Sequence, residues 1–420
     1  MRGVPVLRIV RVLAALAMIA GAGCAVRGAP GVPAAPAMGA PQTDDVEANL
    51  ASGQYFRACA HLVLGHWRCM AMGLRDQSQV PMSEDAGNGS VRGYGPAQLQ
   101  AAYNITDAAK RKPGGRVALV EMGGYPMLEQ DLAVYRHHFN LPPCDVASTC
   151  LEIVNEHGNR SHLPPLDKEW LSEQALDVDM VSANCPKCRI LVVEATTSLF
   201  KAELTAAKKQ PIAISNSWAG FEYPQERRAI MRVFYHPGIA ITAAAGDGGY
   251  GTLFPAAAYS LTAVGGTELK PANNARGFRE RAWSHVSSGC SHYVAPPKWQ
   301  IPLEKQLGGC ANRMVSDVAY DASPSTGVAV YESMHGDGER PGWQVWGGTS
   351  VGAPAIAAMY ALSGKTGRIP TRLLYVKSSA LYDITEGGFQ GLCPLTYLCR
   401  AQPGYDGPTG NGTPNGLGAF

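Results

Sequence analysis

Two stretches of this chain hold residue types and spacings that could do covalent chemistry. In Gly347-Gly348-Thr349-Ser350-Val351-Gly352-Ala353-Pro354 a serine follows two glycines and precedes the apolar, helix-like run from Ala355 to Leu362. Glycines let the backbone turn sharply, and the free amides at a helix N-terminus stabilise negative charge. The Ser350 hydroxyl therefore stands where a nucleophile could attack and an oxyanion could be held. The plain alternative is that this Gly-Thr-Ser only caps the helix. In Trp170-Leu171-Ser172-Glu173-Gln174-Ala175-Leu176-Asp177 two carboxylates lie four positions apart. That spacing puts Glu173 and Asp177 on one helix face, where their side chains meet. Such pairs are ordinarily solvated surface charges, and nearby Asp179 is read that way.

Short apolar runs must carry these residues. Arg116 to Glu121, Arg189 to Glu194, Ile212 to Ser217, Ala240 to Ala244 and Leu261 to Val264 alternate with helical stretches. Alternation of this kind predicts a parallel sheet between helices, and the lack of period-two patterning predicts strands covered on both faces. Four segments are expected: an export signal over 1–24, an Ala/Pro-rich tether over 25–47, a small unit over 48–93 set apart by the polar stretch Gln77 to Gly95, and one large domain over 94–420.

Composition narrows the setting. The 420 residues carry 36 Lys+Arg and 34 Asp+Glu, a net charge of +2 with 17% charged residues. This is no phosphate-binding balance, and nucleic acid is not an expected partner. Arg2, Arg8 and Arg11 precede an apolar run from Val12 to Ala20, then Gly21, Ala22, Gly23 and Cys24. That order is an export signal. Cys24 after small residues suggests a lipoprotein signal whose acylated thiol would be the one membrane contact; Gly21, where a Leu-like residue is usual, leaves plain secretion equally open. Of the 11 cysteines, ten then remain in close pairs: Cys59 with Cys69, Cys144 with Cys150, Cys185 with Cys188, Cys290 with Cys310 and Cys393 with Cys399. Proximity predicts five local disulfides in an oxidising compartment, although ten cysteines allow many connectivities. Cys185-Pro-Lys-Cys188 could also be half of a zinc or redox site, but no second half completes it.

The motifs taken together resemble the sedolisin family, the serine-carboxyl peptidases. Gly-Thr-Ser-x-x-Ala-Pro is the nucleophile string of subtilisin-like proteases, yet no histidine stands in their His-Gly-Thr context. Glu173 and Asp177 match the sedolisin pair that replaces it. Ser215-Asn216-Ser217-Trp218 looks like the substrate-lining strand, and Ala244-Ala245-Gly246-Asp247-Gly248-Gly249-Tyr250-Gly251 like the oxyanion turn. Phe254-Pro255-Ala256, Thr262 to Thr267, Trp283-Ser284, Ser288-Gly289-Cys290-Ser291 and Asp317 to Tyr331 follow in family order, so the likeness runs from about Tyr94 to the C-terminus.

The resemblance implies a subtilisin-like α/β fold, a parallel sheet flanked by helices on both faces, and an endopeptidase acting on peptides or proteins in acid. Ser350 would be the nucleophile, Glu173 its base, Asp177 the residue that positions Glu173, and Asp247 the oxyanion donor. The chemistry is coherent, because a carboxyl beside a second carboxyl has a raised pKa and a protonated Asp247 can donate to an oxyanion. Ser217, Trp218 and Ala219 would line the substrate, with Ala219 where Gly is usual. One calcium ion (Ca2+) would be held by Asp383 and Asp406 with carbonyls of Ile384, Gln402 and Gly404, hard oxygen donors on turns. The family often carries a long folded pro-domain, whereas here about 50 residues precede the main domain, so the Cys59 to Cys69 unit is either a shortened propeptide or a permanent appendage. Two rival readings are a Ser-His-Asp hydrolase using His137 or His138, and a non-catalytic binding protein that keeps the fold.

Overall fold

The computed structural model describes residues 55–420 except 60–61, 79, 81, 84–88, 335, 337–340 and 365–366. The export signal, Cys24 and the tether lie outside the described residues. The principal strands, in order, are β1 (Tyr55–Arg57), β2 (Arg68–Cys69), β3 (Met72–Leu74), β4 (Arg116–Met122), β5 (Leu151–Asn155), β6 (Arg189–Ala195), β7 (Ala213–Asn216), β8 (Trp218–Phe221), β9 (Ala240–Ala244), β10 (Leu253–Phe254), β11 (Thr262–Pro271), β12 (Phe278–Ala282), β13 (Val318–Asp321), β14 (Val328–Glu332) and β15 (Gly342–Gly347). The helices that bear on the site are α1 (Leu128–His138), α2 (Leu171–Asn184), α3 (Leu199–Lys208) and α4 (Gly352–Ser363).

An eight-stranded sheet in the order β12-β11-β9-β7-β4-β6-β5, with β13 also paired to β11, forms the centre. All its pairings are parallel except β11 with β12. The expected α/β architecture, a mostly parallel sheet flanked by helices, is therefore present. Strand interiors such as Val117-Ala118-Leu119-Val120 are buried on both faces, with Val117 and Leu119 in one apolar cluster and Ala118 and Val120 in another. That is why these runs show no polar alternation. Two expected strands begin one residue later than their apolar runs, at Ala213 and Thr262, and the last continues to Pro271 because β12 and β13 extend its pairing.

Every residue of α2 is buried, Asp179 included. The expectation that Asp179 is a solvated surface charge is thus corrected: it accepts a hydrogen bond from the Tyr331 amide, on a strand packed over the helix. In α4 the small residues Ala355, Ala357 and Ala358 let the helix lie close on the sheet, and Pro354 is tolerated because it falls in the first turn, where the amide has no helical partner.

The polar stretch over 77–95 does not set the preceding residues apart. β2 pairs antiparallel with β8, and β3 joins β1, β15 and β14 in a four-stranded antiparallel sheet. All five expected disulfides are formed, which removes the zinc and redox reading of Cys185 and Cys188. Among the described residues no helix is long and apolar enough to cross a membrane.

Candidate active site

Ser350 lies in the turn that enters α4, Glu173 and Asp177 on successive turns of α2, and Asp247 in the loop after β9. All four have 0% exposure. Four groups from three separate stretches of the chain thus meet at the C-terminal side of the parallel strands, where open α/β sheets bind ligands. The Ser350 hydroxyl donates to the Ser217 carbonyl at 3.4 Å and also stands close enough to Glu173 to lower its pKa. Among the described residues no histidine bonds to Ser350. His137 and His138 end α1, and the His138 ring packs on Trp343 at 4.5 Å.

The carboxyls form a chain. Burial holds Glu173 well above the usual carboxylate range, the Asp177 charge raises it further, and Ser350 and the Ala71 amide pull it back. Burial pushes Asp177 up to about 7, against hydrogen bonds from Ser217, Glu121 and Glu173. The Ser217 hydroxyl donates to Asp177 Oδ1 at 2.7 Å. Glu121, at the end of β4, is fully buried, and burial and then the charges of Asp177 and Glu173 raise it well above its ordinary value. Among the described residues Asp177 Oδ2 and both Glu121 oxygens find no donor. Two carboxyls can bond only through a shared proton, so this trio holds protons that isolated carboxylates would lose near neutrality.

Asp247 is fixed from one side. Its Oδ1 accepts from the Thr349 amide at 2.9 Å and the Thr349 hydroxyl at 2.8 Å, while Oδ2 has no partner among the described residues. Burial raises its pKa, and the charge of Arg57, the Thr349 bonds and the charge of Arg68 oppose that rise. Sequence reasoning missed Glu121, Thr349 and the side-chain role of Ser217. A signal for Glu121 existed, namely an acid at the C-terminal end of an otherwise apolar parallel strand.

No protein-family model and no curated protein matches the chain. Among solved structures it is similar to Pseudomonas sedolisin, a serine-carboxyl proteinase complexed with two molecules of pseudo-iodotyrostatin, at 20% identity and TM-score 0.63, covering 78% of this chain and 96% of that one. The chain has the sedolisin fold. A lanthipeptide protease (13% identity, TM-score 0.48, 77% and 92% coverage) and fervidolysin from Fervidobacterium pennivorans (13%, 0.46, 77% and 45%) also match.

In this sedolisin fold the substrate-lining residues expected from sequence are occupied from within. Ser217 lends its carbonyl to the Met70 amide at 3.0 Å, and Trp218 and Ala219 pair with Cys69 and Arg68. The carbonyl-rich loop near the C-terminus is also assembled: Asp383 Oδ2 accepts from Gly404 N at 3.0 Å and Asp406 Oδ2 from Gln402 N at 3.1 Å. Asp406 is buried and pushed well above its ordinary value by burial first and by the Asp383 charge in part. Among the described residues none donates to the carbonyls of Ile384, Gln402 or Gly404. A buried Asp406 raised in part by the Asp383 charge, beside these carbonyls, is a donor set that suits a hard cation.

Proposed function

We propose that the chain is an exported, acid-active serine-carboxyl endopeptidase that hydrolyses peptide bonds in proteins. The observation that carries this reading is the convergence of Ser350, the carboxyl chain Glu173-Asp177-Glu121 and the unpartnered Oδ2 of Asp247 on one buried point. Ser350 attacks the scissile carbonyl carbon as its proton passes to Glu173. Glu173 returns that proton to the amide nitrogen as the C–N bond breaks, and a water molecule then hydrolyses the acyl-serine by the same proton path. Asp177, held by Ser217 and Glu121, positions Glu173. Asp247 serves when neutral, because a carboxylic acid donates to the oxyanion whereas a carboxylate repels it. That requirement, with the Ser350 amide as second donor, makes acid the working range.

Substrates would lie extended along Ser217, Trp218 and Ala219. Asp383 and Asp406, with carbonyls of Ile384, Gln402 and Gly404, would hold one calcium ion, which cross-links two loops and takes no part in the chemistry. Export rests on the N-terminal pattern, with a lipid on Cys24 as the proposed membrane contact. The test is degradation of an unfolded protein at about pH 4, near the ordinary carboxyl range. Ser350→Ala is expected to lower the rate by about a thousandfold or more. Equal activity in that variant would sink the reading.

A further inference from the structure

Three consecutive residues at the end of β14 are each tied to a neighbouring element. The Tyr331 amide donates to Asp179 Oδ2 on α2 at 3.2 Å. The Ser333 amide and hydroxyl donate to Asp131 Oδ2 on α1 at 2.9 and 3.0 Å, an oxygen that also accepts from the Tyr125 hydroxyl. Glu332 stands between them, its backbone held on both sides and its side chain fully buried. Its two carboxyl oxygens reach different elements. Oε2 accepts from the Ser172 hydroxyl at 2.8 Å, and Oε1 from the Trp346 indole at 3.2 Å.

Both partners adjoin the proposed reacting groups in the chain. Ser172 immediately precedes Glu173 on α2. Between Trp346, on β15, and Ser350 come only Gly347, Gly348 and Thr349, and the Gly348 amide is anchored on the Ala322 carbonyl at 2.6 Å. One carboxyl therefore joins the helix that carries the base to the strand that delivers the nucleophile. A buried carboxyl is a costly joint, since it gives up hydration that only hydrogen bonds replace. Apolar packing would also hold strand to helix, but without direction, whereas a hydrogen bond weakens steeply as its atoms move out of line.

The geometry of α2 shows what that direction does. Ser172 and Asp179 are seven positions apart in this helix, so they fall within about 20° of one another around its axis. β14 thus grips one stripe of α2 at two points, and the helix cannot roll without breaking a bond. Glu173 stands about 100° round from that stripe, with its carboxyl about 6 Å from the axis, so a roll of about 10° displaces it by about 1 Å. A misplacement of that size costs about a hundredfold in rate. We propose that Glu332 is a positioning residue for the hydrolysis: by bonding to Ser172 and Trp346 at once, it fixes the roll of α2 against the turn after β15 and keeps Glu173 within reach of Ser350. The proposal rests on the serine-carboxyl reading above. Glu332 takes no proton in the reaction and acts through the two elements it joins.

Glu332→Leu removes both bonds at nearly constant volume. Glu332→Gln keeps them, because its oxygen can accept from Trp346 and its amide can donate to the Ser172 hydroxyl, which is donor and acceptor alike. Ser172→Ala cuts one arm and leaves Glu332 in place. Each variant is assayed on an unfolded protein at about pH 4, below its melting midpoint, with kcat and KM separated. In Glu332→Leu kcat should fall about a hundredfold with KM changed less than about threefold, in Ser172→Ala it should fall about tenfold, and Glu332→Gln should stay within about threefold of the parent. Combining Ser172→Ala with Glu332→Leu should slow the enzyme no further than Glu332→Leu alone, since both cut the same link. Should Glu332→Leu fail to fold, Trp346→Phe takes its place by cutting the other arm, with an expected loss of about tenfold in kcat. Unchanged kcat in any bond-cutting variant, a loss carried by KM, losses that multiply in the Ser172→Ala/Glu332→Leu double variant, or a Gln variant as slow as the one that cuts the link would overturn the proposal while the peptidase reading stands. A parent protein that degrades nothing, or a Ser350→Ala variant as active as the parent, overturns both.

Discussion

In the proposed mechanism Glu173 and Asp177 carry different duties although their chemistry is nearly the same, and the difference comes from their neighbours. Glu173 faces Ser350, whereas Asp177 is tied to Ser217 and Glu121. The Asp177 charge is the second cause of the raised Glu173 pKa. Asp177→Asn removes that charge, so Glu173 should lose its proton at lower pH and become a weaker base. A pH profile of kcat/KM should show the acid limb moving down and the maximum falling by about a hundredfold, the usual size of a general-base contribution. A limb that stays in place would detach Asp177 from Glu173. The four-residue spacing was readable in sequence because helix geometry is local. Glu121 showed in sequence only as an acid ending an apolar strand; that it meets the pair is decided by the order in which strands align.

At the scale of elements, the site is built from the ends of β4, β7 and β9, the middle of α2 and the start of α4, and the loops around them must be held still. Asp383 and the 402–406 turn form one such clasp, already joined by the Gly404 and Gln402 amides. With calcium bound, two like charges cease to oppose one another, so a strong chelator should lower the thermal midpoint by several degrees and added calcium should restore it. An unmoved midpoint removes the metal. The N-terminal strands teach a different lesson. β2 and β3 are two and three residues long, too short for any periodic signal, and they exist because β8 and β15 offer edges that a passing segment can complete. The polar residues after them suggested a boundary, yet the chain before that boundary is part of the cleft.

For the whole molecule, buried acids set how stability depends on pH. Burial pushes Glu194 up to about 7 and Glu203 up to about 8, and it raises Glu121, Glu173, Asp179 and Asp321 as well. Each is more easily ionised in the unfolded chain. Their stabilising effect is therefore full below the ordinary carboxyl pKa of about 4 and is lost as pH rises through about 7 to 8. Glu156 works in the opposite sense: although burial would raise it, the Thr197 hydroxyl and neighbouring amides hold it down to about 2, so its contribution fades below about pH 4. Thermal melts should show a midpoint at about pH 4 to 5 several degrees above that at pH 8, each pKa unit being worth ~1.4 kcal/mol. A flat or inverted profile would mean these carboxyls are ionised in the folded protein. From sequence alone came the parallel α/β sheet and the five cysteine pairs, because strand runs and local loop closure depend on residues close in the chain; helix spacing put Glu173 and Asp177 on one face, and the family resemblance singled out Ser350 and Asp247 beside them. Only the tertiary structure brought Glu121 and Ser217 to Asp177, buried Asp179, and laid the Met70 and Ala71 amides against Glu173. Those contacts join positions 40 to 152 residues apart, where no local pattern records which partner the fold will supply.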